Sequence, residues 1–91
     1  RPDLEQNFPN PFNPSTSIPF ALPSRAQVRL SVFNVLGQRV RTLLNSQIEA
    51  GYHRLAWDGR NDEGYQAGAG VYFYLLESGQ FRQTRKMTLV K

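Results

Sequence analysis

The chain has 91 residues, a mass of 10.4 kDa and a formal net charge of +4, a size that holds one hydrophobic core. Its 40% hydrophobic and 20% charged residues are typical of a globular domain, and the pI near 10.0 favours anionic partners. The absence of cysteine excludes disulfides and Cys-based sites, and no apolar run is long enough to span a membrane as a helix. Because the chain starts at Arg1 rather than Met, we expect it to be a piece of a longer protein.

Residues 1–16 are predicted to form an extended, proline-rich lead-in that contains turns and no helix. Proline fixes φ and biases the residue before it toward extended conformations. Phe8 and Phe12 are expected to fasten this lead-in to the body of the domain, which we place at residues 17–91 as a β-sandwich. The prolines of the lead-in are Pro2, Pro9, Pro11 and Pro14.

Segments 17–22, 27–34 and 39–44 alternate apolar and polar residues, which predicts strands. Pro19 restricts the first strand to a sheet edge because proline cannot donate a ladder hydrogen bond. Gly37 and Asn34 predict a tight turn between the second and third strands. The side chains expected to point inward are Ile18, Phe20, Leu22, Val28, Leu30, Val32 and Val40. Those expected to point outward are Arg29, Ser31, Phe33, Arg39 and Arg41.

The second half continues with a loop at 45–51, a strand at 52–57 and a long loop at 58–70 that contains an irregular strand near 65–67. Segment 71–77 is apolar on both faces, which predicts the central strand of a sheet. Ser78 and Gly79 indicate a hairpin turn before the last strand, 80–90. His53, Leu55 and Trp57 share one face, as do Phe81, Met87 and Leu89. These elements predict an all-β fold, an antiparallel immunoglobulin-like β-sandwich of about seven short strands without a disulfide.

The loop after Trp57 is the one candidate metal site. Its oxygen-bearing side chains could bind calcium, which takes six to eight oxygen ligands. The spacing differs from that of an EF-hand, and we favour the alternative in which these side chains cap turns while Gly59 and Gly64 adopt positive φ. The candidate calcium ligands are Asp58, Asn61, Asp62 and Glu63, and no other cofactor is expected.

Basic side chains form a candidate anion-binding surface. Guanidinium groups bind phosphate and carboxylate groups in pairs of hydrogen bonds, so an anionic glycan or lipopolysaccharide is one partner class. A solvated, aggregation-resistant sheet face explains them equally well. Nucleic acid is disfavoured because basic and aromatic residues do not interleave. The residues are Arg29, Arg39, Arg41, Arg82 and Arg85.

No residue set forms a complete catalytic constellation, so we expect a protein that is not an enzyme. His53 lacks a positioned partner and is expected to pack at the margin of a sheet. Tyrosines could stack on sugars, although we favour a structural role for most of them. A carbohydrate-binding or cell-adhesion module is therefore the alternative function, calcium-dependent if the loop acids bind a cation. The tyrosines are Tyr52, Tyr65, Tyr72 and Tyr74.

Five segments in order resemble the type A C-terminal sorting domain of type IX secretion cargo. They are NFPNPFNPST at 7–16, VFNVLG at 32–37, WDG at 57–59, GVYFY at 70–74 and KMTLVK at 86–91. The family is related to the immunoglobulin-like module of flagellar hook-capping proteins. The resemblance covers nearly the whole chain, and it implies the β-sandwich fold predicted above.

The resemblance further implies an export signal and cell-surface attachment domain at the end of a larger secreted protein from Bacteroidota. Such domains pass through the periplasm to the outer-membrane cell surface, or are secreted, and do not span the membrane. Their partners are the type IX secretion machinery and a sortase-like protease, which in many cargoes removes the domain and joins the cargo to anionic lipopolysaccharide. Cleavage would fall at or upstream of residues 1–6.

Recognition residues follow from the matching motifs. Physically, an edge strand at residues 80–90 with free backbone groups would suit docking by strand addition to a receptor. The alternative is that Met87 and Leu89 are core residues, and both descriptions can hold together. The implied recognition residues are Pro9, Asn10, Pro11, Gly70, Val71, Tyr72, Lys86, Met87, Leu89 and Lys91.

Overall fold

The computed structural model describes residues 1–91 as two antiparallel sheets packed face to face, so the predicted all-β sandwich is confirmed. One sheet has the strand order β1-β2-β5 and the other has the order β4-β3-β6-β7. No helix is present that could span a membrane. The strands are β1 (Asp3–Leu4), β2 (Thr16–Leu22), β3 (Ala26–Phe33), β4 (Arg39–Ile48), β5 (Gly51–Trp57), β6 (Gly70–Ser78) and β7 (Phe81–Leu89).

The three-stranded sheet corrects the prediction that Pro19 lies in an edge strand. β2 is the middle strand, with β5 on one side and the two-residue β1 on the other. Pro19 directs its carbonyl toward the β1 side, where it accepts a hydrogen bond from the Glu5 N–H at 3.0 Å. Proline has no N–H, and the N–H of another residue at this position would point to the same side, just beyond the last paired residue of β1. The proline is tolerated because β1 is so short.

The four-stranded sheet places β6 between β3 and β7, which confirms the predicted central strand. Its hairpin to β7 turns at Gly79, which adopts a φ of 58°, and at Gln80, one residue later than predicted. The turn between β3 and β4 is organised as expected: Gly37 has a φ of 81°, and Asn34 Oδ1 accepts the N–H groups of Leu36 and Gln38 at 3.0 Å.

Strand β4 is longer and less regular than predicted. It continues to Ile48, so the predicted loop at 45–51 is wrong and only a tight corner separates β4 from β5. Its pairing with β3 shifts register twice, since Val32 lies opposite Arg41 but Phe33 lies opposite Arg39. A bulge of this kind moves later residues to the other face of a strand. Arg39 therefore points outward with Phe33, and Arg41 lies on the inner side with buried Val32, which corrects its predicted outward position.

The core lies between the sheets and is centred on Trp57, which is fully buried. Its ring packs against Phe12 at 5.7 Å and edge-on against Tyr72 at 5.4 Å between centroids. Phe12 thus joins the core as predicted. The side chain of Phe8 is 78% exposed, and Phe8 is held by its backbone instead, which exchanges two hydrogen bonds of 2.9 Å with Ser17 of β2. The fully buried Leu4 of β1 contributes instead, a residue that the alternation pattern does not identify.

Candidate recognition surface at the final strand

The outer edge of β7 is covered by the part of the lead-in that precedes β2. Phe12 forms a parallel bridge to Leu89, its N–H donates to the Thr88 carbonyl at 3.0 Å, and its carbonyl accepts from the Val90 N–H at 2.9 Å. The side chain of Asn10 accepts the Thr88 N–H at 3.0 Å. The expectation of a free terminal edge is therefore wrong, because the chain's own beginning occupies the positions at which another strand would add.

Further contacts continue along the same edge toward the start of β7. The side chain of Gln6 donates to the Lys86 carbonyl at 2.8 Å, and Arg85 Nε donates to the Leu4 carbonyl at 2.7 Å. Successive residues of the lead-in thus meet successive residues of β7. The two ends of the chain form one continuous surface.

A buried hydrogen-bond network anchors the lead-in to the core. The Tyr74 hydroxyl donates to the Glu5 carbonyl and accepts the Asn7 N–H, both at 2.8 Å. Asn7, which is 2% exposed, donates through Nδ2 to Thr16 Oγ1 at 3.0 Å. Burial raises the pKa of Tyr74, although the hydrogen bond from Asn7 and the charge of Arg85 act to lower it. The hydroxyl remains protonated and able to donate.

Replacing Tyr74 with phenylalanine should loosen the lead-in. The substitution leaves the Asn7 N–H without its partner, which costs about 1–3 kcal/mol in the free energy of unfolding. Urea unfolding measures this loss, and hydrogen exchange should accelerate at the amides of Thr88 and Val90. Tyr65→Phe is the matched control, because Tyr65 is 70% exposed. Equal exchange in both variants would mean that Tyr74 does not anchor the lead-in.

The structure brings three of the motif segments together at one end of the sandwich. Gly70 pairs with Leu89 and Tyr72 pairs with Met87, while Asn10 contacts Thr88. The residues in this group differ in exposure. Those that are buried are Tyr72, Met87 and Leu89; those partly covered are Gly70 and Val71; and those exposed are Pro9, Asn10, Pro11, Lys86 and Lys91. The buried members cannot be contacted directly by a partner while the domain is folded.

The predicted basic surface is divided among several local contacts. Arg29 and Arg82 both pair with Glu77, the first at 2.9 Å. Arg41 pairs with Asp58 at 3.2 Å and lies 3.9 Å from Asp62. Arg85 donates to the lead-in, as described above, and Arg39 alone among the predicted residues has neither an ion pair nor a side-chain hydrogen bond. The structure therefore does not assemble these residues into one unpaired cationic surface.

The acidic loop after β5 is held by turn hydrogen bonds. Asp58 Oδ1 accepts the Arg60 N–H at 3.0 Å, and Asn61 Oδ1 accepts the N–H groups of Glu63 and Tyr65 at 3.0 and 2.9 Å. Asp62 reaches across to β4, where it accepts the Thr42 N–H at 3.0 Å. No group of three or more His, Cys, Asp or Glu side chains is close enough to hold a metal ion. The turn interpretation accounts for these oxygens, and calcium binding stays a prediction.

Glycine is required at one position of this loop. Gly59 has a φ of 79°, and a Cβ at this position would lie 2.8 Å from the Pro14 carbonyl oxygen. The loop therefore packs directly on the lead-in. Side chains at such positions are strained by both the backbone angle and the contact.

The tyrosines divide into two structural and two exposed residues. Tyr72 and Tyr74 lie in the core, and the Tyr72 hydroxyl donates to the Gly68 carbonyl at 2.6 Å. Tyr52 is 88% exposed at the start of β5, whereas Tyr65 lies in the loop beyond its other end. The exposed pair is thus too far apart to form one sugar-stacking platform. His53 stacks on Phe20 at 5.3 Å between ring centroids, which agrees with its predicted packing role.

Comparison with known proteins identifies the family. The family model described as FlgD Ig-like domain matches residues 10–80, which is more than half of the chain. No curated protein matches the sequence. Among solved structures, the chain is similar to dimeric latent PorU from Porphyromonas gingivalis, with 23% identity and a TM-score of 0.77 over 98% of this chain and 9% of that chain.

Two further structures share the fold. PorZ, described as an essential bacterial surface component of the type-IX secretion system of P. gingivalis, matches with 17% identity and a TM-score of 0.62, covering 94% of this chain and 11% of that chain. FlgD from P. aeruginosa matches with 18% identity and a TM-score of 0.66, covering 96% of this chain and 63% of that chain. The chain thus spans about a tenth of the first two proteins and less than two thirds of the third. With the family match and the shared sandwich together, the chain belongs to the FlgD Ig-like domain family.

Proposed function

We propose that this domain is a non-catalytic C-terminal export signal and cell-surface attachment domain, recognised by the type IX secretion machinery. The observation that carries the proposal is the convergence of three sorting-domain motifs at one end of the sandwich. The lead-in, the start of β6 and the end of β7 meet there in a single surface. Residues distant in sequence therefore form one composite feature that a receptor can read.

The comparisons support a secretion role without separating it from a flagellar one. A surface component of the type-IX secretion system is among the proteins with this fold, and so is FlgD. The segment KMTLVK at 86–91 favours secretion over the hook-capping alternative, because it resembles the sorting domain and lies beyond the residues that match the FlgD Ig-like family. This terminal segment is where the two roles can be distinguished.

Recognition would use the exposed residues of the composite surface. Lys86 and Lys91 offer positive charge, and Pro9, Asn10 and Pro11 offer a rigid adjoining ridge. The buried members, Met87 among them, hold this surface in shape and need not touch the receptor. Strand addition to β7 would require the lead-in to leave first, so docking onto the intact surface costs less free energy.

In this role the domain carries out no reaction itself. Its partners are the secretion machinery, a sortase-like protease and anionic lipopolysaccharide at the outer-membrane surface of a Bacteroidota-type cell. Cleavage before Leu4 would leave the lead-in in place. Cleavage after Leu4 would need the lead-in to detach, because Leu4 is fully buried and its carbonyl is bonded to Arg85.

A reporter fused ahead of the domain tests the proposal in a host with the type IX pathway. Reversing both exposed charges, with Lys86→Glu and Lys91→Glu, should leave the reporter in the periplasm while the melting temperature of the domain is unchanged. Arg25→Glu with Arg54→Glu is the control, because it makes the same change in net charge at exposed positions elsewhere. If the Lys86 and Lys91 variant reaches the surface as well as the control does, the composite surface is not the signal.

A further inference from the structure

The outer face of the four-stranded sheet carries an apolar stripe that no other layer covers. Phe33 and Phe73 lie opposite each other on β3 and β6, next to Val32 and Tyr74, which point into the core. Because side chains alternate along a strand, both phenylalanines face outward. Neither ring packs against the hydrophobic core, and both are partly exposed.

The stripe continues along β6. Val71 and Leu75 share the outward parity of Phe73, and Leu75 is 9% exposed without belonging to the core cluster. Leu75 and Ser31, which lies opposite it, are only 9% and 1% exposed, so the accessible part of the stripe is formed by Phe33, Phe73 and Val71. Beyond Leu75, Arg29 and Arg82 both pair with Glu77, so two positive charges and one negative charge leave that cluster with a net positive charge. A binding partner would therefore meet apolar surface at Phe33, Phe73 and Val71 and net positive charge beyond Leu75.

Cations flank the stripe on both sides. Arg39 of β4 lies opposite Phe33, and Lys86 of β7 lies opposite Phe73, so one row across the sheet reads Arg39, Phe33, Phe73, Lys86. Both cations are exposed and neither forms an ion pair, although Asp62 and Glu63 line the same shallow depression as Arg39. The row thus presents an aromatic centre between two unpaired positive charges.

We propose that this face, the Phe33–Phe73 face, binds an amphipathic helix of a partner protein whose apolar side is bordered on both flanks by carboxylates. Three inter-strand spacings separate Arg39 from Lys86, about 14 Å, which admits a helix of about 10–12 Å diameter between them. A glutamate or aspartate on one flank of the helix then reaches Arg39, and one on the other flank reaches Lys86.

The shape and chemistry of the face favour this occupant over a sugar or a phosphate. None of the shallow depressions in the surface includes Phe33 or Phe73, so a small ligand would bury little of its area there. Phenylalanine also offers no hydroxyl with which to select a saccharide. A flat apolar strip with one positive charge on each side is complementary to a helix that lies along the strands and carries carboxylates on both flanks. Charge complementarity fixes the position of such a helix.

Synthetic helical peptides test the inference directly. The acidic probe carries a leucine stripe with glutamates on both flanks, and the matched probe replaces every glutamate with lysine. Binding to the isotope-labelled 91-residue chain is followed by amide chemical shifts. The acidic probe should shift the amides of β3 and β6 around Phe33 and Phe73, and the lysine probe should bind at least about tenfold more weakly.

Variants of the domain locate the contact. Phe73→Ser should weaken the acidic probe by about tenfold or more, as expected for an aromatic residue at the centre of an interface. Arg39→Glu with Lys86→Glu should reverse the preference and favour the lysine probe. Arg54→Glu with Arg25→Glu, on other surfaces, should change neither affinity, and amide spectra report whether each variant is folded.

Several outcomes would overturn the inference. Equal affinity for the two probes would mean that charge does not select the occupant, and shifts confined to another surface would place the site elsewhere. No binding by either probe at concentrations of about 1 mM would correspond to a free energy weaker than about −4 kcal/mol and would exclude helix docking. Binding of anionic vesicles or inorganic phosphate in place of the acidic probe would assign the face to a different ligand. The inference stands apart from the export proposal, because these measurements need no secretion pathway.

Discussion

Deleting residues 86–91 should unfold the domain, because the segment contains two core residues. Met87 is fully buried and Leu89 is 2% exposed, and truncating even one such side chain costs about 2–5 kcal/mol. The deletion also removes the carbonyl and amide groups to which Phe12 bonds. Since a small domain is stable by about 5–15 kcal/mol in total, little stability would remain. Circular dichroism and urea unfolding measure the loss.

Removing only residues 90–91 is the matched control. Val90 is 40% exposed and Lys91 is also exposed, so this shorter deletion should leave a folded domain with a small decrease in melting temperature. A folded 86–91 deletion would contradict the structural assignment of Met87 and Leu89. The comparison also matters for secretion, because an unfolded reporter fusion can fail in export for reasons unrelated to a signal. Surface charge reversals avoid this ambiguity.

Trp57→Ala is expected to have the largest effect of any single substitution, about 3–5 kcal/mol in the free energy of unfolding. The ring is fully buried between Phe12 of the lead-in and Tyr72 of β6. Its loss would open a cavity at the point where the two sheets and the lead-in meet. Urea unfolding followed by circular dichroism measures the change, since the substitution removes the intrinsic tryptophan fluorescence.

Two comparison variants separate the contributions of Trp57. Trp57→Phe keeps most of the apolar volume but removes the indole N–H that donates to the Arg60 carbonyl at 2.9 Å, so it should cost less than alanine. Tyr52→Ala, on an 88% exposed ring, should change stability by no more than about 0.5 kcal/mol. If Trp57→Ala were as mild as Tyr52→Ala, the core would not be centred on this residue.

Local sequence patterns predict much of the fold. Ile18, Phe20 and Leu22 alternate with residues that face away from the core, and all three are buried as expected. The apolar run from Val71 predicts the central strand, and β6 indeed lies between β3 and β7. Asn34 and Gly37 predict the turn between β3 and β4 because their side-chain and backbone requirements are local. Each of these predictions depends on neighbours within a few residues.

Long-range contacts account for most of what the sequence could not predict. The placement of Arg41 on the inner side depends on a bulge whose position is set by pairing with β3. The cover over β7 depends on Phe12 and Asn10 meeting residues more than 70 positions away, as in the contact from Thr88 to Asn10. The alternation of residues predicts that β7 is a strand, but it does not predict which segment of the chain lies beside β7. Phe33 was expected to face outward, yet its pairing with Phe73 required the register of the sheet.

The parallel arrangement of the lead-in and β7 determines how the domain responds to tension. Leu4 meets Arg85, Gln6 meets Lys86, and Phe12 meets Leu89, so both segments run in the same direction. Pulling the first and last residues apart would slide the segments past each other and load their hydrogen bonds in shear, all at once. An antiparallel arrangement would open one bond at a time. The fold thus resists mechanical separation of its ends where a strand hairpin would unzip.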